Sequence, residues 1–254
     1  MGIKSEHSER WKTASVLLAI IVAVGLINNI FLTWIFLTIV YGLSLLEATR
    51  LFRIYDNTVY LLLALLWVSL PFYPHPADLI FFVLVVFGAR LAYKNDGIDA
   101  KGVFALLYPS AGFVFLWMLY YEYGMISLVW ILAIVALTDV GAFYTGKKFG
   151  KKKFSPTSPN KTLEGVFGGV AFGTLGGTLI MAGYANIFLS AVFISLTTSI
   201  SSVFGDLFES YLKREAGVKD SGNILPGHGG VLDRIDGYLF ASISLYVMLK
   251  ISGS

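Results

Sequence analysis

The stretch SYLKREAGVKDSGNILPGHGGVLDRID, residues 210–236, carries the cations Lys213, Arg214, Lys219 and Arg234, the carboxylates Asp220, Asp233 and Asp236, His228 and two glycine-rich turns. Long apolar runs flank it on both sides. Cations hold phosphates, and clustered carboxylates hold a divalent metal that neutralises them, so this set suits phosphoryl or nucleotidyl transfer. Asp233 and Asp236 stand three residues apart and share one helix face. Capping of a helix start accounts for the first acid as well as a ligand role does, but not for a second acid one turn deeper. Two such acids can share a hard cation such as Mg2+, whose other positions go to water and phosphate. Gly227, Gly229 and Gly230 permit positive φ and close backbone approach. Successive amides beside a helix start form an anion cradle, although a plain connecting loop also uses glycines. His228 donates to a phosphate or relays a proton only if it turns into the site.

Two acids lie deeper in apolar sequence. Asp139 interrupts ISLVWILAIVALTDVGAFYTG; at such depth a carboxylate requires a cavity, a cation or a metal. The bland alternative is a span boundary two turns earlier, which would leave Asp139 near the interface. Asp206, within VFGDLF, likewise calls for a cation. Glu209 is read differently, as an i,i+4 partner of Lys213 in a salt-bridged helix end at the membrane surface.

A second polar cluster is GKKFGKKKFSPTSPNKTLEG, residues 146–165. Gly141-x4-Gly146-Lys147 copies part of a P-loop, but position 148 is lysine and the segment closes an apolar run, so that reading is rejected. The block Lys147, Lys148, Lys151, Lys152 and Lys153 suits anionic headgroups. Lys161 is the candidate for a phosphate contact, whereas Glu164 is expected only to cap or pair. Beyond it, Gly165, Gly169, Gly173 and Gly177 recur every four residues, a stripe that lets helices approach closely in lipid.

The order Ser210-x2-Lys213-Arg214-x4-Lys219-Asp220, then Pro226-Gly227-His228-Gly229-Gly230-x2-Asp233-Arg234-x-Asp236, closely resembles the C-terminal signature of the phosphatidate cytidylyltransferase (CDP-diacylglycerol synthase) family. Ser158-Pro159-Asn160-Lys161-Thr162-Leu163-Glu164-Gly165 resembles that family's second conserved region. The likeness is close over about residues 135–250 and extends to the N-terminal half only in hydropathy. It implies transfer of the cytidylyl group of CTP to phosphatidic acid, giving CDP-diacylglycerol and pyrophosphate. It also implies Mg2+, with a second cation allowed, held by Asp206, Asp220, Asp233 and Asp236. Lys213, Lys219 and His228 would complete the catalytic set. Lys161, Arg214, Arg234, Gly227, Gly229, Gly230 and Asp139 would line the substrate site. The implied partners are CTP, phosphatidic acid and the bilayer, with no nucleic acid; a homodimer is compatible. A related cytidylyltransferase acting on another lipid phosphate or a prenyl alcohol stays open, as do two rivals from other classes. A CDP-alcohol phosphotransferase would share only the opening of its signature, Asp233-x2-Asp236-Gly237. A cation-coupled transporter would have no use for the basic, glycine-rich loops.

The elements that must position these residues are membrane helices. Hydrophobic residues make up 56% of the 254 and charged ones 14%, which excludes an ordinary soluble domain. Apolar runs predict an all-α polytopic protein with about nine spans, roughly 13–27, 28–47, 57–73, 77–94, 101–122, 124–145, 163–183, 186–212 and 231–251. One long tilted helix across Asn28–Asn29 is the rival to the first split. With the N-terminus inside, Lys4, Arg10, Lys12, Arg50, Arg53, Arg90, Lys94, Lys101, the lysines of 147–161 and the cations of 213–234 all fall on the cytoplasmic side. That places 18 of the 19 basic residues inside and only Lys250 outside, an asymmetry that predicts N-in, C-out. The expectation is a single embedded unit in the cytoplasmic membrane, with plain helices over 1–122, a reactive half over 123–254, and the active site facing the cytoplasm. With no cysteine there is neither disulfide nor thiolate chemistry.

Overall fold

The computed structural model describes residues 2–94, 100–181 and 188–253. Residues 95–99, the predicted span ends at 182–183 and 186–187, and Ser254 lie outside the described residues, as do the side chains of Lys4, Arg10, Lys94 and Lys101. The protein is all-α: the described residues form α1 (Gly2–Ile27), α2 (Ile30–Leu51), α3 (Asn57–Ser69), a 3-10 turn (Leu70–Phe72), α4 (Pro76–Lys94), α5 (Ala100–Tyr123), α6 (Met125–Phe149), α7 (Leu163–Met181), α8 (Phe188–Glu215) and α9 (Leu232–Ser252). Seven of these, α2 and α4 to α9, are long and apolar enough to cross a membrane. Shorter apolar segments lie at Trp11–Ile27 and Asn57–Phe72. The chain forms two compact units, residues 1–117 with 216–235, and residues 118–215 with 236–254.

In the first unit, α1 and α2 are separate helices. Asn28 takes a left-handed conformation (φ 45°), and the Asn29 side chain accepts from the amides of Phe31 and Leu32, capping α2. Asp56 caps α3 through the Thr58 amide at 2.7 Å, and its second oxygen pairs with Arg90 of α4. The core is aromatic. Tyr41 lies 4.9 Å from Trp67 and 5.2 Å from Phe113, between ring centroids, and its hydroxyl shares a 3.0 Å hydrogen bond with Ser110.

The second unit is built on the contact of α6, α7 and α8. A Cβ on Gly169 would sit 2.6 Å from the Thr138 carbonyl oxygen, and one on Gly173 would sit 2.1 Å from Thr138 Oγ1 and 2.7 Å from Ser199 Oγ. The glycine stripe therefore lets three backbones close on one another, as the spacing predicts. Within the seam, the hydroxyls of Thr138 and Ser199 are 2.6 Å apart, so two polar groups satisfy each other in an apolar setting. At the end of α9, Lys250 pairs with Glu122 at 2.6 Å and lies over the Tyr246 ring at 5.5 Å.

Candidate active site

In the second unit a cavity of about 540 Å³ opens where α6, the 150–162 loop, α7 and α8 meet. Asp139 and Lys147 from α6, Ser158, Asn160 and Lys161 from the loop, and Asp206 from α8 line it. Asp139, Lys161 and Asp206, candidate site residues from three separate stretches of sequence, are thus brought to one place together with Lys147. Asp139 sits inside α6, which runs on without a break to Phe149. The helical course of 141–149 also leaves no room for a P-loop.

The loop's shape follows from local hydrogen bonds. Leu163 N–H donates to the Lys152 carbonyl and Phe154 N–H to the Lys161 carbonyl, both at 2.8 Å, folding the segment back on itself. Glu164 accepts from the amides of Lys151 and Lys152 at 3.0 and 3.2 Å. It is a capping residue, the role expected of it. Lys161 is thereby presented to Asp206, with which it forms an ion pair.

One turn above Asp206, Glu209 and Lys213 pair at 2.5 Å. The i,i+4 geometry is the one predicted, but the location is not. Glu209 is 0% exposed and Lys213 is buried with it, so the pair belongs to the interior and not to a solvated helix end. The cause is that α8 continues to Glu215 and packs this face inward. Asp236 on α9 is half-buried and lies within electrostatic reach of Asp206, Asp139 and Lys213.

The 216–231 loop and the start of α9, in the first unit, show how the other predicted residues are held. Leu225 and Gly229 form an isolated antiparallel bridge around a tight turn, with φ of 74° at Gly227 and 82° at Gly229. His228 N–H closes the turn on the Leu225 carbonyl at 2.9 Å, and its half-buried ring leaves Nδ1 3.4 Å from the Pro226 carbonyl oxygen. Arg234 Nε donates to the His228 carbonyl at 3.0 Å. Lys219, Asp220 and Arg214 are exposed.

Asp233 Oδ2 accepts from the amides of Ser221 and Gly230 and from the Ser221 hydroxyl, at 2.8–2.9 Å. The amides of Val231 and Leu232 donate to Glu47 of α2 at 2.9 and 2.8 Å. The amides expected to cradle an anion at Gly230 and beyond are therefore taken up by the protein's own carboxylates. Gly230 serves instead as space, because a Cβ there would sit 2.5 Å from Glu47 Oε2.

Comparison with known proteins covers both units. The cytidylyltransferase family model matches residues 8–252. The chain belongs to the cytidylyltransferase family. It is 40% identical over 246 residues to a phosphatidate cytidylyltransferase of Helicobacter pylori, covering 96% of this chain and 92% of that one. It is 39% identical over 189 residues to the phosphatidate cytidylyltransferase of Thermotoga maritima (69% of each chain). With that of Bacillus subtilis it shares 43% over 134 residues, 51% of this chain and 49% of that one.

Family membership raises the matter of a metal. Among the described residues no group of three or more acidic, histidine or cysteine side chains stands ready as a metal cage. Mg2+ in nucleotide chemistry is commonly held by one or two carboxylates, with phosphate and water in its other positions, so a preformed cage is not required. Asp206 and Asp236, within electrostatic reach of each other, would supply hard oxygen donors whose mutual repulsion a divalent cation relieves. The donor set fits.

Glu47 was missed in the sequence. It is 0% exposed and makes three hydrogen bonds to the 221–232 segment. Its one signal is a carboxylate within the apolar run of α2, the same signal that singled out Asp139 and Asp206.

Proposed function

We propose that this cytidylyltransferase family member is a phosphatidate cytidylyltransferase, joining CTP and phosphatidic acid to give CDP-diacylglycerol and pyrophosphate. The observation that carries the reading is the Lys161–Asp206 pair in a cavity among membrane helices that also holds Asp139. A phosphate oxygen of the lipid attacks the α-phosphorus of CTP; a new P–O bond forms as the bond from that phosphorus to the α,β-bridging oxygen breaks. Both negative partners must be brought together, so positioning and charge neutralisation make up most of the catalysis. Lys161 binds a phosphate oxygen once the nucleotide displaces it from Asp206. Lys213, held in place by Glu209, offsets the charge of Asp236 and of the bound phosphates. Asp206 and Asp236 are the residues that would hold Mg2+, which when bound neutralises the triphosphate. Lys219, Asp220, His228, Arg214 and Arg234 are assigned to the same reaction on the strength of the signature they complete.

No activated nucleophile accompanies this set. Cysteine is absent, and Ser158, the serine in the cavity, lies beside Lys161 and Asp206 with no histidine lining the walls. Direct transfer follows. Purified protein supplied with labelled CTP, Mg2+ and phosphatidic acid should release pyrophosphate only when both substrates are present. Exchange of labelled pyrophosphate into CTP without lipid would reveal a cytidylyl-enzyme and overturn the direct route, and release of CMP would favour a phosphotransferase.

We further propose that α1 and α3 also cross the membrane, giving nine spans with the N-terminus and the 146–162 and 211–230 loops in the cytoplasm. The support is the basic asymmetry of the sequence. Because the chain has no cysteine, single cysteines introduced in these loops can be labelled unambiguously. An impermeant maleimide should reach them only from the cytoplasmic side; labelling from outside would exclude this orientation.

A further inference from the structure

The N-terminal helices carry none of the signature residues, yet one of them reaches into the signature loop. Glu47, near the end of α2, is fully buried, and both its oxygens are engaged. Oε1 accepts from the Val231 amide at 2.9 Å; Oε2 accepts from the Leu232 amide at 2.8 Å and from the Ser221 hydroxyl at 3.1 Å. The first amides of a helix have no partner within it. Glu47 satisfies the first of α9, that of Leu232, and that of Val231 just before it, from a helix 184–185 residues earlier in the chain. Asp233, reaching back from the first turn of α9, accepts from the amides of Ser221 and Gly230 and shares the single proton of the Ser221 hydroxyl with Glu47. Ser221 and Gly230–Leu232 are the two ends of the loop that carries His228, and Lys219 and Asp220 immediately precede it.

The space for the carboxylate is built by glycine. A Cβ at Gly222 would sit 2.6 Å from Glu47 Oε1, and one at Gly230 would sit 2.5 Å from Oε2. Neither residue appears with a left-handed φ, in contrast to Gly227 and Gly229. At Gly222 it is the close approach of Glu47 that requires glycine, and at Gly230 that of Glu47 together with the Ser221 hydroxyl, 2.1 Å from such a Cβ.

We propose that Glu47 is a positioning residue for cytidylyl transfer, closing the base of the 221–230 loop so that His228 and the flanking Lys219, Asp220 and Arg234 are presented in one fixed conformation. The proposal rests on the reading of function given above. Glu47 touches neither substrate; it acts through Ser221 and the start of α9. Small displacements of charged groups cost rate steeply, because the transition state is stabilised by groups already in place.

The test joins kinetics to a direct report of loop motion. A nitroxide on Asn223→Cys, an exposed loop position in a chain otherwise free of cysteine, reports only on this segment. In the full-length protein, Glu47→Ala should mobilise the label and lower kcat about 100-fold with KM for CTP within about threefold, since binding groups remain but are misplaced. Glu47→Gln keeps one acceptor and should lose only about 10-fold. Gly222→Ala, which crowds the carboxylate, should mobilise the label by itself yet add nothing in the Glu47→Ala background, a non-additivity that identifies a shared contact. An immobile label in all three variants, or folded Glu47→Ala protein with wild-type kcat, would overturn the proposal. If the label is released but wild-type protein makes no CDP-diacylglycerol from CTP and phosphatidic acid, the assigned reaction falls while the role of Glu47 in holding the loop stands.

Discussion

Asp206→Asn and Asp236→Asn should each lower kcat at least about 100-fold, the scale of losing a charge-stabilising group from a nucleotidyl-transfer site. Both changes keep side-chain volume and remove only charge. Asp236 is held within reach of two like charges, Asp206 and Asp139, so removing one negative charge relieves repulsion in the free protein. For Asp236→Asn, thermal stability in detergent should therefore be equal to or above wild type even as activity disappears, whereas Asp206→Asn also gives up its ion pair with Lys161 and gains no such stability. This opposition of stability and function is expected where a site is kept strained for its chemistry. Loss of both together in Asp236→Asn would identify Asp236 as a structural acid, and either variant that retains turnover would remove its residue from the metal site. Wild-type protein should also show Mg2+-dependent protection against unfolding that either asparagine variant weakens.

The parts of the molecule legible in the sequence are those fixed by local periodicity. The break at Asn28–Asn29, the α7 glycine stripe and the Glu209–Lys213 pair each follow from spacing along a single segment. The left-handed turn residues Gly227 and Gly229 were legible for the same reason. What spacing cannot supply is depth. Glu209 and Lys213 read as a surface pair because nothing within α8 says which face its neighbours cover, and the structure buries both. Nor can it reveal a side chain whose partners are backbone amides. The Val231 and Leu232 N–H groups that bind Glu47 exist whatever residues stand there, so the sequence carries no mark of the donor side. Gly230 shows the consequence. Its type suggested a phosphate cradle, whereas its surroundings show a gap left for a carboxylate arriving from α2.

Lys213→Met should be the most destabilising single change in the second unit. It deletes the cation 2.5 Å from a carboxylate with no exposed surface. Removing one member of a buried ion pair costs about 3 kcal/mol or more, because the remaining charge loses the interaction that offset its desolvation. Replacing both members with apolar residues of similar volume is commonly neutral or stabilising, so Glu209→Met/Lys213→Met should regain most of the lost stability. Activity separates the two roles of the lysine. If Lys213 served only to neutralise Glu209, the double variant would work again once it folded. The ammonium also acts on Asp236, however, and no methionine can offset that charge or the phosphates gathered there. The double variant should therefore be as stable as wild type yet remain at least about 100-fold slower. Recovery of turnover along with stability would reassign Lys213 to the scaffold and leave Lys161 and Lys147 as the cations of the second unit's cavity.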